Sequence, residues 1–170
     1  LYHYPLEDIG GGDNGNDCWG WFDEESGREF VIYGRSNGTS FVDITDPLNP
    51  QHVAILPTAS SSSLWRDIKV IGNYAYIVSE APQHGLQIVN MEDILQLNGF
   101  TYIINPTHHY QGFGNSHNIV ANPETNYVYA VGTNTFYGGL HIVDVSDPSN
   151  PVLAGSYSEF YTHDAQAVIY

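Results

Sequence analysis

Short apolar runs set off by turn residues dominate this chain, and the clearest series begins at residue 117. His117–Ala121 reads as a strand, and Asn122-Pro-Glu-Thr-Asn126 follows as a turn with proline where a type I turn favours it. Tyr127–Val131 then reads as the returning strand. Leu140–Val145 alternates as a third strand, Asp147-Pro-Ser-Asn-Pro151 turns the chain, and Val152–Tyr157 closes the unit. The same order runs earlier through Trp19–Phe22, Glu29–Tyr33, Ser40–Ile44 and His52–Leu56. The one helical segment expected is a single turn within Met91–Leu97, where an intermediate copy lacks the proline turn.

The pattern is a repeat. Gly38-Thr-Ser-Phe-Val-Asp-Ile-Thr-Asp-Pro-Leu-Asn-Pro50 aligns with Gly139-Leu-His-Ile-Val-Asp-Val-Ser-Asp-Pro-Ser-Asn-Pro151, and Gly85-Leu-Gln-Ile-Val-Asn-Met-Glu-Asp93 is a degenerate copy between them. A second set of anchors opens each unit: Trp19-Gly20, Arg66-Asp67, His117-Asn118 and His163-Asp164, at intervals of 47, 51 and 46 residues. That spacing is the period of a four-stranded propeller blade. The expected fold is therefore all-β, a β-propeller of four-stranded antiparallel blades, with three blades plus the first strand of a fourth, a partial ring. The blades fall at about 17–57, 64–104 and 116–158, with the start of a fourth at about 162–170. A ring broken there leaves an open apolar face, so a longer polypeptide or further chains are expected to complete it.

Composition narrows the class. With 13 Tyr, 17 Gly and 9 Pro against one Met, the chain favours strands and tight turns over helices. Its net charge of -15 repels nucleic-acid backbones and anionic membranes, so neither is an expected partner. The single cysteine, Cys18, excludes an internal disulfide framework. No apolar run approaches a membrane span, and no basic, then apolar, leader opens the sequence. The first residue, Leu1, is not an initiator methionine, which fits trimming and a secreted protein.

Blade geometry places the candidate chemistry. Strand-one starts and the loops joining strands two and three share one rim, while the Asp-Pro turns occupy the other. Arg35, Arg66, Asp67, Glu80, His84, His109, Asn118, Thr133 and Asn134 are thereby expected on a ligand-binding rim at the channel mouth. His117 and His163, with Asp164, enter the channel from neighbouring blades, a donor set suited to a divalent transition metal rather than calcium. The competing reading is that these groups hydrogen-bond across blades and stitch the channel. An Arg66–Asp67 pair reads as an inter-blade salt bridge before an anion clamp, and Trp19, Trp21 and Trp65 as inter-blade packing before glycan stacking. Asp13–Asp17 lacks calcium-loop spacing, and Asn37-Gly-Thr39 is a glycosylation sequon in a hairpin turn. No nucleophile elbow, phosphate loop or dinucleotide fingerprint occurs, so no catalytic residue and no cofactor are assigned.

The segment Gly139–Pro151 resembles the LVIVD repeat. Together with Asn16-Asp-Cys-Trp-Gly-Trp21, Trp65-Arg-Asp-Ile-Lys-Val70, Ser116-His-Asn-Ile-Val120 and Tyr161-Thr-His-Asp-Ala-Gln166, it is similar to the branch called choice-of-anchor B proteins. The resemblance implies a bacterial propeller that is secreted or held at the cell surface, with no assigned activity. A non-catalytic scaffold is the function expected from it, binding a protein or glycan at the rim or assembling with itself. The alternative is a structural or hydrolytic metal site in the channel.

Overall fold

The structure is a computed structural model and describes residues 2–170. Three sheets follow one another along the chain. The first holds β1 (Gly15–Asp23), β2 (Arg28–Arg35), β3 (Gly38–Asp43) and β4 (Gln51–Pro57) as an antiparallel meander. The second holds β5 (Arg66–Ile71), β6 (Tyr74–Ser79) and β7 (Leu86–Asn90). A short helix, α1 (Met91–Leu95), then leads to β8 (Tyr102–Ile103) and β9 (His108–Tyr110). The third holds β10 (Asn118–Asn122), β11 (Tyr127–Val131), β12 (Leu140–Asp144) and β13 (Val152–Tyr157) in sequential antiparallel order.

The repeat is in register at the level of single pairs. Phe30 opposes Asp43, Tyr74 opposes Asn90 and Tyr127 opposes Asp144, so the same two strand positions meet in every sheet. The turns repeat as well. Asp43 and Asp144 accept from Thr45 N and Ser146 N, both at 2.9 Å, and Asp46 and Asp147 accept from Leu48 N and Ser149 N, both at 3.0 Å. These side chains replace backbone partners that a tight turn leaves free. In the second copy Asn90 does the same for Glu92 N at 3.0 Å, but there it caps α1 instead of a proline turn.

That replacement changes the path. The fourth strand of the second sheet is β9, antiparallel to β7 and beyond the expected limit near 104. Tyr102–Ile103 instead runs parallel to β4 on the edge of the first sheet. Residues 158–170 form no strand, so the expected fourth-blade strand over 162–170 is a segment without regular secondary structure.

Strand alternation sends opposite faces of each sheet into two cores. Trp21, Phe30, Ile32 and Phe41 of the first sheet pack on Ile68, Ala75, Ile77 and Val89 of the second, with Met91 and Ile94 of α1 filling the edge. Tyr76, Val78 and Ile88 from the other face of the second sheet pack on Ile119, Val128, Ala130 and Val143 of the third. Full burial of each such aliphatic or aromatic side chain is worth about 1.5–3 kcal/mol, which makes these two layers the main source of cohesion.

Candidate functional site at the starts of the first strands

The first strands of the three sheets are β1, β5 and β10, and their first residues are tied by a repeated clip. Asp17 accepts from Ile68 N at 2.9 Å, and Asp67, one repeat on, accepts from Ile119 N at 2.8 Å. Asn118, at the next equivalent position, donates to His163 O at 3.4 Å. Asp17 sits at φ 55 in a bulge of β1, a conformation aspartate tolerates better than most residues, and this turns its carboxylate toward the next sheet. Among the described residues Asp164 has no cross-sheet partner and accepts from its neighbour Ala165 N.

The clip brings like charges together. Burial, the hydrogen bond to the Asp67 carboxyl and that group's charge push Asp17 up to about 6, while Lys69 pulls it down. The Lys69 ammonium lies 2.5 Å from Asp67 and 4.0 Å from Asp17, and 4.6 Å from the centroid of the Trp19 ring. One cation is thus held between two carboxylates and an indole face.

Several expected rim residues are withdrawn from solvent. Arg35 and Arg66 are each 1% exposed and His84 is fully buried. Arg66 does not pair with Asp67: its guanidinium donates to Arg35 O, Thr58 Oγ1 and His84 Nε2 at 2.9–3.1 Å. The charge is spread over neutral acceptors, and burial with the nearby Arg35 charge lowers Arg66 to about 10. Burial, then the Arg66 charge, lowers His84 to about 4, so its ring is neutral and accepts from the guanidinium. Arg35 donates to Ser40 Oγ, Gly11 O and Asn37 Oδ1. That last contact engages the sequon asparagine, and its partner Thr39 is fully buried, so the motif serves as a turn. His109 contacts His84 O at 2.6 Å, Thr133 is buried in a loop turn with Thr135, and Asn134 accepts from Gly114 N at 2.7 Å.

What remains at least partly open at this end is a smaller group. Glu80 follows β6 and meets His117 Nδ1 at 2.5 Å. The His163 ring meets that of His117 at 4.0 Å between centroids, tilted by 54°. Gly132, at φ 61, leaves room for the His117 side chain, since a Cβ there would lie 2.7 Å from that of His117. Trp65 lies 6.1 Å from the His117 ring and is 48% exposed, held by its backbone to Ser63, Ser79 and Glu80. Trp19 is 41% exposed, and of the three tryptophans Trp21 is the one in the core. Trp19 and Trp65 each lie against the next sheet, beside Lys69 and His117, but with their rings partly exposed instead of buried between sheets.

Among the described residues no group of three or more His, Cys, Asp or Glu side chains converges as a metal site. His117 and His163 meet ring to ring, with Glu80 on one nitrogen, and Asp164 turns to its own backbone. Cys18 is exposed, and no helix among the described residues is long and apolar enough to cross a membrane.

No curated protein and no solved structure shows a significant match to the chain. The LVIVD repeat family matches residues 65–91, from Trp65 through β7 into α1, and residues 117–159, the whole third sheet. Three strands of the second sheet and all four of the third are therefore similar to LVIVD repeats, the family whose likeness the Gly139–Pro151 segment carries.

Proposed function

We propose that the three sheets are consecutive blades of a propeller ring completed by further sheets of the same kind, and that the protein is a non-catalytic scaffold at the cell surface or outside it, binding a protein partner through the channel mouth. Support for the ring comes from the outer face of the first sheet. Val31, Tyr33 and Val42 are the register equivalents of Ala75, Ile77 and Val89, which the preceding sheet covers in the next interface. In the first sheet they line a groove of about 720 Å³ with the segment Tyr2–Ile9. The surface location rests on the resemblance to choice-of-anchor B proteins.

The observation that carries the binding role is the division within the polar residues. Arg35, Arg66 and His84 are consumed in holding the sheets, whereas Trp65, Glu80 and His163 are positioned by that framework and left at least partly exposed at one end, around the largely covered His117. Rigidly held aromatic and polar groups on a concave surface are what recognition sites use. The test is retention of surface proteins by the immobilised chain. His117→Ala is expected to reduce the retained partner at least about tenfold, with Leu48→Ala on the opposite rim leaving it unchanged. Equal retention by the two variants overturns the reading.

A further inference from the structure

The three sheets leave their last strands in different states. In the first, β8 lies along the outer edge of β4 in parallel, with Ala54 opposite Tyr102 and Ile55 opposite Ile103. Ile104 N donates to Ile55 O at 2.9 Å, and Thr101 Oγ1 donates to His52 O at 2.8 Å. In the second sheet the edge is β9, only three residues long. In the third it is β13, six residues long, and among the described residues no strand pairs with its outer side.

β13 repeats β4 position by position. His141 faces Ser156 as Ser40 faces Ile55, and Ile142 faces Gly155 as Phe41 faces Ala54. Both strands carry the same bulge, which leaves Ala154 and Val53 without a partner before Val143 meets Leu153 and Val42 meets His52. In an antiparallel ladder the N–H and carbonyl of one residue point to the same side. Ile55 turns its carbonyl away from β3 to Ile104, so Ser156, in the same register, turns its N–H and carbonyl away from β12.

Edge strands are ordinarily kept from pairing by shortness, charge or proline. β9 is short. β13 reads Val-Leu-Ala-Gly-Ser-Tyr and has none of these protections, and Val152, Leu153 and Tyr157 along it are exposed. The net charge of -15 repels a second copy of the chain, and a row of unpaired backbone groups takes an extended segment in preference to a helix.

We infer that the outer edge of β13 receives an extended, uncharged segment of a partner protein as an added parallel strand, in the way that β4 receives β8. Backbone hydrogen bonds to Ser156 supply the attraction, and apolar side chains laid beside the exposed ones of β13 supply selection. The edge stands apart from the binding end proposed above, so each reading holds or fails without the other.

The probe is the chain's own edge-pairing sequence, acetyl-Gly-Phe-Thr-Tyr-Ile-Ile-Asn-amide from residues 99–105, titrated against the protein while backbone amide signals are followed by NMR. Saturable shifts are expected along Leu153–Tyr157. The peptide N-methylated at the position of Ile104 lacks the donor that meets Ser156 O, and is expected to bind at least about tenfold more weakly. Ser156→Pro removes an outward N–H while leaving the β12 ladder intact, and with an unchanged unfolding midpoint it is expected to weaken the parent peptide about tenfold. A spin label on the first residue of the peptide is expected to broaden Val152 more than Tyr157, as parallel pairing requires. No shifts at millimolar peptide, equal binding of the N-methylated peptide, the reverse broadening, or shifts confined to Gln51–Pro57 overturn the inference. Self-association in sedimentation that Ser156→Pro abolishes gives the edge to a second copy and overturns it as well.

Discussion

The two interfaces between neighbouring sheets use the same repeat positions and solve the same packing problem with different chemistry. Between the first and second sheets, Gln87 of β7 donates to Pro57 O, and the fully buried Arg66 guanidinium ties Arg35, Thr58 and His84 together. Between the second and third, the equivalent position is His141. Its two ring nitrogens hydrogen-bond to Tyr110 OH at 2.8 Å and Thr135 Oγ1 at 2.9 Å, one accepting and the other donating, inside a cage of Tyr110, Phe113 and Phe136 rings. One interface buries a charge among neutral acceptors; the other buries a neutral ring among aromatics. The difference shows that a β-repeat fixes where two sheets touch while leaving open how the polar remainder is satisfied.

The largest effect should come from breaking the charged side of that contrast. Arg66→Ala removes a large buried side chain and leaves Arg35 O, Thr58 and His84 short of a donor. A loss of about 3–5 kcal/mol is expected in urea unfolding, the cost of a large core deletion together with stranded polar groups. Arg66→Met keeps most of the volume and should lose less, since replacing a buried charge with an apolar chain of similar size removes its desolvation cost. If the methionine variant is as unstable as the alanine variant, the guanidinium contacts and not the packing hold this interface.

Acid should weaken both interfaces together. Burial lowers His141 to about 4, as burial and the Arg66 charge lower His84 to about 4, while in the unfolded chain both titrate near 6.5. Between pH 6.5 and 4 the unfolded state binds more protons, so stability is complete above 6.5 and falls as the pH drops toward 4. Each histidine contributes about 3 kcal/mol to that loss at 1.36 kcal/mol per unit. His141→Gln, which leaves His84 in place, should reduce the pH dependence of the unfolding free energy by about half. An unchanged profile in that variant places the acid sensitivity elsewhere.

The contrast between interfaces also explains what could be read from the chain. Register and turns were legible because Asp43, Asn90 and Asp144 fall on one strand position, and because the Asp-Pro turns repeat as side-chain-capped turns. The excursion after α1 was not. Once Asn90 caps a helix rather than opening a proline turn, nothing in Tyr102–Tyr110 states which of two short apolar runs returns to β7. The parallel addition of β8 to the first sheet is decided by contacts with β4. At the site, the anchors Arg66, Asp67 and Asn118 fall at the starts of β5 and β10, and Asp67 ties one sheet to the next. The burial of the arginines was not legible, since Arg35 and Arg66 differ from exposed arginines only through partners such as Gly11 O and His84, which lie 18 to 31 residues away in sequence. The exposure of Trp65 likewise depends on its position at the mouth and not on its type.

The smallest expected effect sharpens the comparison at the channel wall, where each interface has one carboxylate clip. Asp67 serves the second interface with both oxygens occupied, one by Lys69 and Ile68 N and the other by Ile119 N. Asp17 serves the first through Ile68 N, and it is the member pushed up to about 6. An acid raised in the folded state binds more protons there than in the unfolded chain, so Asp17 costs stability as the pH rises from about 4 through 6. Asp17→Asn keeps an oxygen for Ile68 N and a residue that tolerates φ 55, but removes the repulsion. At pH 8 this variant should be as stable as the parent or better by about 1 kcal/mol, a modest figure because solvent screens the partly exposed carboxylate. Asp67→Asn should instead lose stability at the same pH, because Lys69 is left facing an amide. The pair of unfolding curves at pH 8 decides the matter: a loss in Asp17→Asn equal to that in Asp67→Asn means that both clips are needed as charges, and that the two interfaces are more alike at the channel than across their buried layers.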